Sequence, residues 1–553
     1  MKKLTLIFSA FLLLSGWHLA KAQPLNDQLP PLTVEIYQPS KTEGYYFCIP
    51  YSLVPPYEYV HALTILDRSG NVVYYKYFNN GGVTSTPVDF KIQPNGQMSF
   101  YSTENEKYYM MDSTFTIVDS LEAVNGSTAD PHELQILENG NYLLLAYEIV
   151  TMDLSDYYYF GASHNLPGSS EADVIAAVIQ EFDPQKNLIF EWKAAEHFDF
   201  DDVDESWLNS PNYVDWTHAN ALELDYDGNI LMSCRHFNQI VKIDHNDGHL
   251  IWRFGGKDNE FTYDAPPEIT FTGQHDIRRN GNGNLTLWNN GQFSEPQVGA
   301  ALEFEMDEEN KTVHIVWNYV YDNDLFSLAM GNHQQISSHK RLIDFGFTEL
   351  DPPPMFTVVE EDYTPIMTVF APQNYGSYRS YNYPELPWDL PRPGLTCKNI
   401  DGEYYLVADE GYSEYHWQNG LLAQSIPIDS PGAYQVFVPF GGGMLASEVF
   451  TVEDPDDPCG TTTATKEEEL SEQADISVYP NPAHDLLRLK WESEEEAKAQ
   501  IQIFDLTGRL VLKQELQSGE NSMSLGHLPK GSYLIVVRDE EGRALYRKRI
   551  VLM

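Results

Sequence analysis

The sequence predicts an all-β protein whose main body is a six-bladed β-propeller, and three observations predict it. The first is a hairpin motif that recurs six times, written apolar-x-apolar-Asp, a turn, then an apolar stretch often ending in an aromatic residue. It appears as LTILDRSGNVVYYKYF around Asp67, YYMMDSTFTIVDSL around Asp112, VIQEFDPQKNLIFEW around Asp183 and IVKIDHNDGHLIWRF around Asp244. It recurs as LEFEMDEENKTVHIVW around Asp307 and, more weakly, as FTVVEEDYTPIMTVF around Glu360. The second is the set of segments between these hairpins, VDFKIQPNGQMSFYS, HELQILENGNYLLLAY, HANALELDYDGNILMS, HDIRRNGNGNLTLW and HQQISSHKRLIDFG, which read as inner strands. The third is composition: 13% aromatic residues, with 35 tyrosines, suits an aromatic-rich β protein.

Each element has a local reason. The apolar residues alternate with the period of a strand. Asp, Asn and Gly at the turns supply the positive φ angles of tight hairpins. One such unit cannot bury both faces, so units must stack about an axis, and a recurrence of roughly 45 to 70 residues lies in the propeller range. The long connections DLSDYYYFGASHNLPGSSEAD and HFDFDDVDESWLNSPNY are expected as loops on one rim, where ligand sites collect.

The ends and the charge set further bounds. Lys2 and Lys3 precede the apolar run LTLIFSAFLLL, and Ala20-Lys21-Ala22 supplies a small-x-small cleavage site, so residues 1–22 read as a signal peptide and the mature chain starts near Gln23. That run is too short to span a bilayer, and no later segment is apolar enough for a transmembrane segment. With 34 basic against 82 acidic side chains, the net charge is -48. This argues against nucleic acid, whose phosphates require Lys and Arg, and against an anionic membrane surface. Its expected effect is solubility. Four cysteines are too few for a disulfide framework. Cys397 and Cys459 flank one small module and their pairing is left open, whereas Cys48 and Cys234 read as buried thiols.

The propeller is expected over residues 23–393, where the repeat stops. Residues 394–453 contain several short strands around Trp417 and a Gly-Ala-Tyr corner, and resemble the immunoglobulin-like β-sandwich modules of bacterial surface proteins. Residues 454–475 are charged and Thr-rich with no apolar period, and read as a linker. From residue 476 to 553 the strings ISVYPNPAHDLLRLKW, IQIFDLTGRLVLKQEL, LPKGSYLIVVRD and YRKRIVLM resemble the β-sandwich C-terminal sorting domain of the type IX secretion system of Bacteroidetes. That resemblance implies the type IX secretion machinery as a partner. It also implies passage through the periplasm to the outer cell surface or the medium.

Three histidines stand in phase with the repeat. His132, His218 and His275 precede the turn residues Gly140, Gly228 and Gly283 by eight, ten and eight residues. That near-constant offset would deliver all three to one mouth of a propeller channel, with Arg235 arriving from the strand after His218. Three imidazoles could hold zinc. An arginine beside them points the other way, because a fixed positive charge disfavours a dication and favours an oxyanion. The plainer reading is that each histidine satisfies backbone groups at a strand start. No Gly-x-x-x-x-Gly-Lys loop, Cys-x-Pro-x-Arg string or Gly-x-Ser-x-Gly elbow occurs, which argues against nucleotide-dependent transfer, the usual sulfatase nucleophile and a serine hydrolase.

The strings HELQILENGNYLLL, WTHANALELDYDGNILMSCR and GQHDIRRNGNGNLTLWNNG resemble the bacterial aryl-sulfate sulfotransferases, closely over residues 130 to 292. The resemblance implies His275 as the nucleophile that accepts the sulfuryl group. It places His218 and Asn220 on the His-x-Asn position, Arg235 on the Ser-x-Arg position and His132 on the upstream position. It implies a phenolic sulfate donor and a phenol acceptor, with no cofactor and no metal. The chain departs from the family pattern at Pro131-His132-Glu133, where paired histidines are frequent, and at Asn289, where Asp is common. Arg379 in SYRSYNYPELPW is expected to add a second, substrate-binding cation, whereas His236 and His333 are expected to be structural. The alternatives are a non-catalytic propeller binding a carbohydrate or anionic ligand, and a His-lined metal hydrolase.

Overall fold

The computed structural model describes residues 20–21, 29–52, 59–80, 83–161, 164–208, 210–264, 269–321, 325–455 and 458–459 of one compact unit, Met1–Thr461. In a second unit, Thr462–Met553, it describes residues 475–479, 486–492, 499–505, 510–516, 519–526, 528, 531–539 and 544–552. The expected leader, apart from Ala20–Lys21, and most of the 454–475 linker lie outside the described residues. With 52% strand and 3% helix the fold is all-β. No helix among the described residues is long and apolar enough to cross a membrane.

The first unit is built from antiparallel meanders. The second sheet runs through Pro87–Ile92, Met98–Ser102, Lys107–Met111 and Ile117–Leu121. The third contains Thr128–Ile136, Tyr142–Met152, Ala172–Phe182 and Leu188–Lys193, with Tyr213–Asp215 added in parallel. The fourth holds Ala219–Leu224, Ile230–Cys234, Gln239–Ile243 and Leu250–Gly255, and the fifth His275–Arg279, Leu285–Asn289, Ala300–Asp307 and Thr312–Tyr319. The sixth comprises Asn332–Ser337, Lys340–Asp344, Pro354–Glu360 and Pro365–Phe370, and the N-terminal strand Thr33–Ile36 pairs with its outer edge. The first sheet is composite, because Tyr381–Tyr383 pairs with Tyr45–Cys48, followed by Ala62–Asp67 and Val72–Asn80. The first strands of successive sheets lie against one another, and Asn332–Ser337 returns to Tyr381–Tyr383, so they close a ring about an axis.

Local chemistry explains the repeated motifs. At each strong copy the hairpin Asp accepts backbone N–H groups of its own turn: Asp67 from Ser69 and Asn71 at 2.8 and 3.0 Å, Asp112 from Thr114 at 2.9 Å, and Asp183 from Gln185 and Asn187 at 2.9 Å. Asp244 and Asp307 do the same with Asn246 and Asn310. At the weak sixth copy Asp362 takes this part, accepting from Thr364. The turns between first and second strands use Asn139, Asp227 and Asn282 in the same way, each followed by a glycine at φ of 83 to 92° that other residues rarely adopt.

The core fills the wedges between neighbouring sheets. Phe47, Phe90, Phe100 and Met110 pack between the first and second, and Trp192, Trp216, Met232 and Val241 between the third and fourth. Each buried Trp, at roughly 200 Å² and about 25 cal/mol/Å², contributes about 5 kcal/mol before ordering entropy is counted.

Residues 394–453 are joined to the ring. Gly443–Ala446 extends the first sheet beyond Val72–Asn80, with Met444 opposite Tyr75 and Leu445 opposite Tyr74, and Val436–Phe440 follows it. Leu395–Ile400, Glu403–Ala408 and Ser425–Pro427 form a further sheet around Leu406, Trp417, Ile426 and Val436. Cys397 and Cys459 are disulfide-bonded with Cα atoms 5.6 Å apart, while Cys48 and Cys234 are buried free thiols. In the second unit a three-stranded and a four-stranded sheet enclose Leu487, Leu489, Ile501, Ile503, Ile535 and Val537.

Candidate active site

At one end of the axis the first strands are irregular. Pairing with the second strand slips between Val88 and Lys91, between Ala129 and Leu134, between Ala219 and Ala221, and between His275 and Arg278. Asp89, His218 and Asp276 adopt φ of 54, 40 and 60° there, a left-handed conformation that costs of order 1 kcal/mol or more at a non-glycine residue. Such bulges re-aim side chains, and here they turn the histidines and acidic residues of several sheets inward.

His275 is 2% exposed, and its neighbours define its tautomer. Asn290 donates its amide N–H to Ser327 Oγ (2.9 Å) and to the Met330 carbonyl (3.0 Å), so its Oδ1 faces His275 Nδ1 at 2.7 Å. The Gly273 carbonyl lies 3.0 Å from the same nitrogen. Two acceptors require a proton on Nδ1, which leaves Nε2 with a lone pair, and the Met330 N–H points to it at 3.1 Å. Burial first, then Arg235 and His218, hold His275 well below the ordinary histidine range, so it is a neutral base.

His218 and His132 face each other with ring centroids 5.2 Å apart. Each donates Nδ1–H to a carboxylate, His218 to Asp215 and His132 to Asp130. Burial, with Arg235 and His132, disfavours a second proton on His218. His236 stacks on His218 at 4.5 Å, donates Nδ1–H to the Asp215 carbonyl at 2.5 Å and accepts from Arg235 at 3.1 Å.

Arg235 reaches the cluster from a short 3-10 turn, Arg235–Phe237, after the second strand of the fourth sheet. Its guanidinium lies 4.2 Å over the Trp207 ring and donates to Gln292 Oε1 (2.7 Å) and the Leu328 carbonyl (3.1 Å), while its Nε has no partner. Burial lowers its pKa to about 10, so it stays cationic at neutral pH. A buried fixed cation with an unspent N–H beside a neutral imidazole suits an anionic group.

The cation expected to bind substrate is engaged by protein groups. Arg379 is buried, and its guanidinium is committed to protein: Nη1 to Asp89 (3.1 Å) and Glu133 (3.3 Å), Nη2 to the Asn220 carbonyl (2.6 Å), and Nε to Asp276 (3.1 Å). Three carboxylates and one carbonyl thus surround its charge. Lys91 and Arg278 complete this ionic layer by pairing with Asp89, Glu133 and Asp276. Asn220 likewise donates to the Gln274 carbonyl (2.7 Å), which ties the strand of His218 to that of His275. His333 lies apart, held between the Leu302 carbonyl and Arg341.

Asp215, His218 and His236 offer three potential ligand atoms within 4.8 Å of one another, which tests the metal reading. Both nitrogens of His236 are already engaged, one of them by a guanidinium, so this set does not suit a dication. Sequence reasoning missed the roles of Trp207, Gln292, Asn290 and the two carboxylates. Asp215 and Asp130, close before their histidines, were the readable signal.

An all-β ring that presents a neutral buried imidazole beside a buried guanidinium has groups suited to an oxyanion. Residues 51–379 match the family model described as arylsulfotransferase (ASST), and the chain belongs to that family of transferases. Residues 477–552 match the secretion system C-terminal sorting domain, which directs export to the outer surface or the medium. No curated protein matches the chain. Among solved structures, a Bacteroides caccae protein of unknown function shares 11% identity at a TM-score of 0.36, covering 61% of this chain and 98% of that one. A streptogramin B lyase shares 12% at 0.32, covering 68% and 94%, and the Staphylococcus aureus virginiamycin B lyase with quinupristin shares 9% at 0.29, covering 67% and 97%.

Proposed function

We propose that this chain is a nucleotide-independent aryl-sulfate sulfotransferase, built on a six-bladed β-propeller, that moves a sulfuryl group from a phenolic sulfate ester to a phenol through a sulfohistidine at His275. The observation that carries this reading is the neutral His275 imidazole, with Nδ1–H on Asn290 and a lone pair on Nε2 next to Arg235, His218 and His132. In the first step Nε2 gives up the Met330 N–H and attacks sulfur, the bond from sulfur to the aryl oxygen breaks, and the phenolate leaves with that electron pair and takes a proton from solvent. The Asn290 and Gly273 acceptors stabilise the positive charge that the ring gains, and Arg235 holds the sulfuryl oxygens. In the second step an acceptor phenol oxygen attacks sulfur, the Nε2–S bond breaks with its electron pair returning to nitrogen, and the phenol proton passes to an imidazole.

The test is an assay of the full chain with a chromogenic aryl sulfate, with and without added phenol, in the presence of a chelator. Phenol-dependent release that survives the chelator, together with an adduct of about 80 Da on the His275 peptide, the mass of one SO₃, supports the reading. Release that requires zinc refutes it in favour of a metal hydrolase. Binding of aryl sulfates without release refutes it in favour of a non-catalytic binding protein.

A further inference from the structure

Resting on the sulfuryl-transfer reading, the geometry points to the aryl-binding site. A pocket of about 220 Å³ at the edge of the third sheet receives the ring of donor and acceptor alike and selects single-ring phenols. Its polar wall consists of the two carboxylate–imidazole pairs, Asp130–His132 and Asp215–His218. Its apolar wall comes from the second and third strands of that sheet, through Leu145, Ala146, Ile175 and Ala177, and Tyr147 and Tyr213 also line it. Tyr213 is 50% exposed and is held in place by parallel pairing opposite Asp173.

Charge sets the orientation of a bound ester. The pocket contains no Lys or Arg, and Asp130 and Asp215 repel an anionic sulfuryl group. Arg235 interacts with His218 and His275 but does not line the pocket. The neutral ring therefore enters the pocket, the bridging oxygen meets the two imidazoles, and the sulfuryl group points to Arg235 and His275. Size sets the class of phenol. Sites for drug-sized ligands span roughly 300–1,000 Å³. At about 30 Å³ per water, 220 Å³ holds about seven waters, the bulk of one substituted ring. Because the first phenol leaves before the second binds, one pocket serves both half-reactions. Asp130 and Asp215 act as positioning residues that fix Nδ1–H and leave each Nε2 to accept the proton of the incoming phenol.

The test compares 4-methylphenyl with 2-naphthyl sulfate as donors, and 4-methylphenol with 2-naphthol as acceptors, on the full chain and its Tyr213→Ala and Ala177→Phe variants. Melting curves accompany the kinetics. Unmodified protein is expected to favour one ring over two. Tyr213→Ala opens the exposed side without touching the core and should reduce that preference about tenfold, equally for donor and acceptor. Ala177→Phe fills the pocket and should lower kcat/KM for all four compounds. Ratios that stay unchanged in folded Tyr213→Ala, while transfer itself proceeds, overturn the pocket assignment alone. A donor preference that moves without the acceptor preference overturns the shared pocket. Absence of transfer by unmodified protein with either donor refutes the sulfuryl-transfer reading and the pocket with it.

Discussion

Replacing Arg379 by methionine tests whether the ionic layer positions the histidines. The guanidinium makes three hydrogen bonds, at 3.1, 3.3 and 2.6 Å, to Asp89, Glu133 and Asn220, and an ion pair at 3.1 Å with Asp276. Three of these partners stand one or two residues after His132, His218 and His275. Methionine keeps much of the volume but leaves buried carboxylates to Lys91 and Arg278 alone, and removing one partner of a buried pair costs about 3–5 kcal/mol. For a unit ending at Thr461 and starting near Gln23, an unfolding entropy of about 2.1 cal/mol/K per residue gives about 0.9 kcal/mol/K, so Tm should fall by about 3–5 °C. A shift of the three strands by about 1 Å should lower kcat about 100-fold. The donor KM should change little for a residue that acts by positioning. Arg379→Lys, which keeps a cation among the carboxylates, should recover part of kcat. Steady-state kinetics and thermal melts read both quantities. A raised KM with kcat intact would show that the guanidinium binds substrate after all, and an unchanged kcat in Arg379→Met would refute the positioning role.

Further outcomes are expected. His275→Ala should abolish both phenol release and the protein adduct, read by intact mass after donor is added. Arg235→Ala should cost about 3 kcal/mol of transition-state stabilisation, a 100-fold or larger loss in kcat. Because burial and neighbouring cations hold His275 well below its ordinary 6.5, the donor half-reaction should be nearly flat from pH 7.5 to 5.5. A histidine of ordinary pKa would lose about tenfold over that range. Glu133 is opposed by burial, yet Arg278, Lys91 and Arg379 hold its pKa at about 2 against an ordinary 4.5. A depressed carboxylate stabilises the fold above its unfolded pKa, so acid unfolding should draw on this group as pH falls from 4.5 towards 2. In Arg379→Met the native pKa rises, so that loss should be smaller and should end at a higher pH, visible as a flatter fall of Tm between pH 4.5 and 2.

What could be read in the sequence was local chemistry in a repeated phase. Asp67, Asp112, Asp183, Asp244 and Asp307 announce hairpins because each carboxylate binds its own turn within a few residues. His132, His218 and His275 could be grouped because each has the same relation to a turn glycine. Long-range partners leave no such mark. Arg379 meets Asp89 across 290 positions, and nothing in SYRSYNYPELPW distinguishes a guanidinium spent on carboxylates from one free for substrate. Asn290 lies in the quoted Asn-Asn-Gly string, but its bond to His275 depends on a bulge that no residue type announces. Trp207 was hidden in an acidic rim loop, where its contact with Arg235 is a product of the fold.

Ring closure has a consequence for the timing of activity during export. Tyr381–Tyr383 joins the strand Tyr45–Cys48, and Arg379 comes just before it, so the floor beneath the histidines is supplied by one of the last segments of the ring to emerge. A chain threaded through a membrane from its N-terminus carries His275 across long before Arg379 can dock. The guanidinium shared by Asp89, Glu133 and Asp276 is therefore missing until the last strand docks, and the ionic layer is complete only when the ends of the ring meet.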